Sequence, residues 1–149
     1  MWLGLARLMT KLPTALDAQL ERDADLNYFE YIVMAMLSER DDRTLRMSQL
    51  AALTNASLSR LSHVAKRLEA RGFVHREPDP DDGRYTKAIL TEQGMAKVEG
   101  SAPAHVENVR RLVFDALTPT QLGQLHEAVE AIVTRVDPGN PRWPQPPAI

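Results

Sequence analysis

The chain has 149 residues, 44% of them apolar, with no cysteine and a net charge of −2. That length supports one domain with a real core, and the missing cysteines exclude disulfides and thiolate-based peroxide sensing. No apolar run is long enough to span a membrane. The first residues read without a signal-peptide core, so the cytoplasm is the expected compartment. The charge is uneven. Residues 43 to 90 hold nine Lys/Arg against five Asp/Glu, and the rest hold nine against fifteen. A basic module in an acidic frame suits a protein that meets a polyanion with one surface.

Leu3, Leu5, Leu8, Leu12, Leu16 and Leu20 predict a first helix, which Pro13 should kink or interrupt. Asn27-Tyr-Phe-Glu30 is a capping-box pattern and opens a second helix through about Ser38, its apolar run buried. Glu39 to Arg43 reads as a charged loop, and Thr44-Leu45-Arg46 as a short strand. Met47 to Leu53 forms a third helix with Leu50, Ala51 and Leu53 inward. Arg46 stands where a capping hydroxyl is common, and Ser48 offers a cap one turn later. Thr54-Asn55-Ala56 is a tight turn, for which Asn tolerates the left-handed conformation.

From Ser57 to Gly72 the apolar residues Leu61, Val64, Ala65 and Leu68 make one buried helical stripe. Ser57 is the expected N-cap and Gly72 the left-handed stop. Steps of about 100° put Ser59, His63 and Lys66 opposite the stripe, Arg60 and Arg67 on one flank and Ser62 on the other. Such a face carries donors and no carboxylate, which suits a DNA groove. The period then changes. Phe73 to Arg76 and Tyr85 to Leu90 are strand-like and flank a turn with Pro78, Pro80 and Asp82-Gly83. A helix followed by a hairpin with Arg84 near its tip is the winged helix-turn-helix pattern, in which the helix enters the major groove and the arginine the minor groove.

Thr91 is the expected N-cap of a long helix that Pro103 should bend or divide, with Val106, Val109, Leu112, Val113 and Ala116 on one face. Thr118-Pro-Thr-Gln121 combines a capping box with proline at the first helical position. The last helix follows, with Leu122, Leu125, Val129, Ile132, Val133 and Val136 on one side. The Pro-rich tail, 137–149, with Trp143, should be extended.

Leu50-Ala51, Ser57, Leu68, Arg71-Gly72-Phe73-Val74, Arg76, Asp82-Gly83-Arg84 and Leu90-Thr91-Glu92-Gln93-Gly94 stand in an order and spacing that resembles the MarR family of bacterial transcription regulators. The resemblance implies a mostly α fold, an α+β winged helix, as a single domain over 1–149. Residues 27–91 would be the winged-helix DNA-binding lobe, and 1–22 and 92–136 helices that interlock in a homodimer. It implies contact with double-stranded DNA through Ser57, Ser59, Arg60, Ser62, His63, Lys66, Arg67 and Arg84, with Asp82 holding Arg84; Arg46 and Lys87 are candidates for phosphate contact, with a plain surface role equally open. Many relatives bind small aromatic or anionic ligands between the dimer helices and the DNA lobe. Trp2, Arg7, Lys11, Tyr28 and Tyr31 are the candidates for such a cleft, although nothing in their spacing defines a pocket, and the favoured reading is that Trp2 and the tyrosines pack the core while the charges face water.

Residues 63, 75, 105 and 126 are the four histidines. None has a zinc-ligand spacing to a second ligand, so no metal or cofactor is expected. No phosphate-binding glycine loop and no positioned His–carboxylate pair points to an enzyme. The expected function is a dimeric regulator, a repressor of a palindromic operator that a small ligand releases. A winged-helix scaffold that binds protein rather than specific DNA is the alternative.

Overall fold

A reciprocal capping box decides where the second helix begins. The Asn27 side chain accepts from the Glu30 N–H at 2.8 Å, and Glu30 Oε2 accepts from the Asn27 N–H at 3.0 Å. The computed structural model describes residues 1–139. Over these the chain runs α1 (Trp2–Ala24), α2 (Tyr28–Ser38), β1 (Thr44–Arg46), α3 (Met47–Leu53), α4 (Leu58–Ala70), β2 (Val74–Pro78), β3 (Thr86–Leu90), α5 (Glu92–Val109), a π-helical turn (Arg110–Phe114) and α6 (Pro119–Val136). The fold is mostly helical with one small antiparallel sheet in the order β1-β3-β2. The register pairs Arg46 with Lys87 and Pro78 with Thr86. The extended tail and Trp143 lie outside the described residues, apart from a turn at Pro138 and Gly139.

The core joins the second half of α1 to α2, α3, α4 and the sheet. Leu20, Leu26, Met34, Leu37, Leu50, Leu61 and Leu68 are fully buried within it. The predicted stripe of α4 is buried throughout. Leu50 and Ala51 are buried and Leu53 is half-buried. Asn55 takes the left-handed conformation, φ 49°, and so does Gly72, φ 76°.

Three sequence expectations are corrected. Neither Pro13 nor Pro103 interrupts its helix. Each removes one donor, but the residues whose carbonyls lose their partners, Met9 and Glu99, are exposed, so water can take those oxygens. The division falls instead at Arg110, where α5 gives way to the π-helical turn. Nor does Ser48 cap α3. The helix starts at Met47, and Gln49 Oε1 reaches back to accept the Arg46 N–H at 3.1 Å.

Gly94 fixes how α5 meets the sheet. A Cβ there would lie 2.1 Å from the Phe73 carbonyl oxygen and 2.6 Å from Leu90 Cδ1. One turn earlier, Thr91 accepts the Gly94 N–H at 3.0 Å and donates to the Gly72 carbonyl at 2.7 Å. The wing and α5 are therefore joined at one point.

The first half of α1 and all of α6 stand outside the core. Trp2, Leu3, Leu8 and Met9 are exposed on α1, and Leu125, Val129, Ile132, Val133 and Val136 on α6. α6 is nonetheless well started, by the predicted Thr118–Gln121 capping box with Pro119 at its first position.

Candidate nucleic-acid interface

Ser57 caps α4 by accepting the Arg60 N–H at 3.2 Å. With the apolar stripe turned inward, Ser59, His63 and Lys66 are exposed on the outward face. The two flanks differ in chemistry. On one, the Arg60 guanidinium lies over the Phe29 ring, 4.1 Å from its centroid. Arg67 Nε donates to Glu30 Oε1 at 3.1 Å. The buried Glu30 thus serves both its own capping box and α4. Both arginines are expected from the sequence as DNA contacts, and these partners are not legible there because they lie some thirty residues away in α2. On the other flank the half-buried Ser62 turns toward the wing. Leu58, Ser62, Arg84, Tyr85 and Thr86 line one notch there.

The wing is held at its tip and at its base. At the tip, Arg84 Nε donates to Asp82 Oδ1 at 2.9 Å and Nη2 to Oδ2 at 2.7 Å. These bonds, Arg84's side chain first and its backbone N–H second, hold the Asp82 carboxyl below its ordinary pKa and raise that of Arg84. The Arg84 side chain remains 85% exposed. At the base, Asp79 is buried. Its Oδ1 accepts the Asp81 N–H at 3.0 Å and lies 3.5 Å from Lys87 Nζ, and its Oδ2 accepts from Arg46 Nε. The Asp81 N–H, followed by Arg46 and Lys87, lowers the Asp79 pKa.

Arg46 and Lys87, expected as phosphate contacts, therefore converge on a carboxylate inside the protein, and Arg46 also covers the Tyr85 ring at 4.7 Å. Asp79 was missed. Arg46 and Lys87 are cross-strand neighbours, and like charges directly opposite on a sheet repel, which the Asp79 carboxylate offsets; the register that brings them together is not legible in the sequence. Two further arginines act as ties. Arg76 binds Glu69 of α4 at 2.8 Å, and Arg71 binds Asp25 at the end of α1 at 3.0 Å.

A cleft of about 630 Å³ separates α1 from α4 and is lined by Pro13, Asp17, Tyr28, Phe29, Arg60, His63 and Arg67. Of the five candidate ligand residues, Tyr28 alone lines it. Trp2, Arg7 and Lys11 are exposed on the preceding turns of α1. At 1.5 Å per residue, Trp2 lies roughly 16 Å along the axis from Pro13. Tyr31 is buried and packs on His105, ring centroids 4.6 Å apart. His105, also missed, is buried where α1, α2 and α5 meet. Its Nδ1 is 3.2 Å from Gln19 Oε1, and burial lowers its pKa. Among the described residues, no group of three His, Cys, Asp or Glu side chains could hold a metal ion. No described helix is long and apolar enough to cross a membrane.

Residues 24–84 match the protein-family model described as MarR family. The structure is similar to that of Sco3205, a MarR family transcriptional regulator from Streptomyces coelicolor solved in complex with DNA. Identity is 40% and the TM-score 0.89, over 93% of this chain and 86% of that one. AbsC, a MarR family regulator from the same organism, is 35% identical with a TM-score of 0.86, over 91% of this chain and 90% of its own. Among curated proteins, the HTH-type transcriptional repressor IacR of Pseudomonas putida is 27% identical over 128 residues, 86% of this chain and 74% of IacR.

Proposed function

The chain belongs to the MarR family of transcriptional regulators, and from that premise we propose that it is a repressor that holds a palindromic operator as a homodimer and releases it when a small ligand binds. The observation that carries this reading is the notch shared by α4 and the wing. Ser62 of the helix and Arg84 of the hairpin line it together, so one duplex can meet both. The outward Ser59, His63 and Lys66 face the major groove. Arg84, pre-oriented by Asp82, enters the neighbouring minor groove.

Dimerisation gives the two copies of α4 the spacing of successive half-sites. It also covers apolar residues that a lone chain exposes, on the first turns of α1 and along α6. Residues 1–22 and 92–136 are the dimer region in this reading, and 27–91 the DNA-binding lobe. Arg60 and Arg67 contribute through the α1–α4 cleft as much as through DNA. The cleft's volume lies within the roughly 300–1,000 Å³ of small-molecule sites. A small aromatic or anionic ligand that pairs with Arg60 there would compete with its stacking on Phe29. Binding better to the conformer with displaced recognition helices, it would lower operator affinity by that difference.

A mobility-shift assay with the DNA upstream of the chain's own gene tests the proposal. The upstream fragment should shift at protein concentrations where a scrambled fragment of equal length does not. Equal shifts, or none with any genomic fragment, would favour a scaffold that binds protein instead.

A further inference from the structure

Leu58 is the first residue of α4, and it is 53% exposed. Leu61, Val64, Ala65 and Leu68 fill the core, and Leu58 does not join them. It lies at the edge of their stripe, on the flank of Ser62 one turn on. With Ser62, Arg84 and Tyr85 it lines the notch between α4 and the wing. That notch is about 200 Å³, below the size typical of small-molecule sites. The exposed Arg84 on its rim favours a polyanion.

A lone exposed leucine ordinarily needs no explanation. Here its position supplies one. The N-terminal residues of a recognition helix are those that reach base edges. The charged flank of α4 is bound to Phe29 and Glu30, whereas the flank beside the wing offers an apolar side chain and a hydroxyl. A base edge in the major groove presents one apolar group, the C5-methyl of thymine.

We propose that Leu58 reads a thymine methyl in each half-site and is a specificity-determining residue. The proposal rests on the DNA-binding reading above. Its test begins with a duplex selected by the protein from random sequence. Each thymine is then replaced singly by deoxyuridine, which removes the methyl and nothing else. One thymine per half-site should prove sensitive, the wild type losing about fourfold in affinity, the scale for burying one carbon. Leu58→Ala should bind the thymine and uracil duplexes equally, while Leu58→Met should still distinguish them. Thermal melting of both variants establishes that they are folded. A wild type indifferent to every replacement, or a Leu58→Ala variant as sensitive as the wild type, would overturn the proposal while leaving DNA binding intact. Failure to select any duplex would overturn the DNA-binding reading itself, and this inference with it.

Discussion

Asp82 grips Arg84 through two nearly parallel hydrogen bonds, and a third runs from the Arg84 backbone N–H to Asp82 Oδ1 at 3.2 Å. A carboxylate two residues away thus fixes both the turn and the direction of the guanidinium. Charge-assisted bidentate pairing of this kind orders an otherwise free side chain.

Arg84→Ala should weaken operator binding roughly ten- to a hundredfold, the scale of one specific contact. Asp82→Ala should lose nearly as much, and the double variant little more, because both changes break one arrangement. Titrating the three variants against one operator decides this. Additive losses would mean that Asp82 does not act through Arg84. Wild-type affinity for Arg84→Ala would remove the wing from the mechanism.

Asp79 is the corresponding test at the base of the wing. Asp79→Asn keeps the shape but leaves Arg46 and Lys87 adjacent without their anion. Both melting temperature and operator affinity should fall. The native carboxyl lies below its ordinary value of 3.8. Its contribution is therefore complete above about pH 4 and is lost as pH falls through the lowered native value. Acid unfolding followed by circular dichroism should show a shallower low-pH limb in the variant. An identical limb would mean that Asp79 carries none of the acid sensitivity.

Much of this architecture was legible in the sequence because its signals are local. The Asn27–Glu30 and Thr118–Gln121 boxes, the Ser57 and Thr91 caps and the Asn55 and Gly72 turns each involve residues three or four apart. The Asp82–Arg84 pair lies within one turn. What sequence reasoning missed joins distant positions: Arg67 with Glu30, Arg46 with Asp79, and His105 with Gln19. Cations were visible on α4 and on the strands, but not which of them the fold itself would engage. That Trp2, Arg7 and Lys11 do not line the α1–α4 cleft was illegible for a related reason. Helical spacing cannot say how far along α1 the cleft begins.

Gly94 offers a test of packing. Gly94→Ala drives a Cβ into the Phe73 carbonyl and Leu90, and overpacking of this kind costs about 1–3 kcal/mol. The melting temperature should drop by several degrees. Gly100, in the same helix, has nothing within 4 Å of a built Cβ. Gly100→Ala should therefore add about 1 kcal/mol of helix propensity and raise the melting temperature. Equal responses at the two positions would contradict the close approach of α5 to the wing.

His105 should make stability depend on pH. Asp23 can only accept, and it takes the Gln19 amide nitrogen at 3.0 Å. Gln19 therefore turns its oxygen to His105, which donates from Nδ1. The rings of Tyr28 and Tyr31 of α2 lie with their centroids 6.0 Å and 4.6 Å from that of the imidazole. The native ring resists protonation, so the unfolded chain binds more protons below its ordinary value of 6.5. The stabilising contribution is present above that pH and declines as pH falls toward the lowered native value. Melting temperature should fall between pH 8 and pH 5.5, and His105→Gln should reduce the fall. An unchanged slope would assign the acid response to other groups.

The helix and wing of a dimer are expected to grip the phosphates of a specific duplex. Fluorescence anisotropy with a selected operator, repeated across salt concentrations, measures this most directly. With Lys66 and Arg84 of each subunit neutralising phosphates, log K should fall against log salt with a slope of about −4, and two chains should bind per site. A flat salt response, or the same affinity for operator and scrambled duplex, would mean that the helix and wing do not hold a specific duplex through its phosphates.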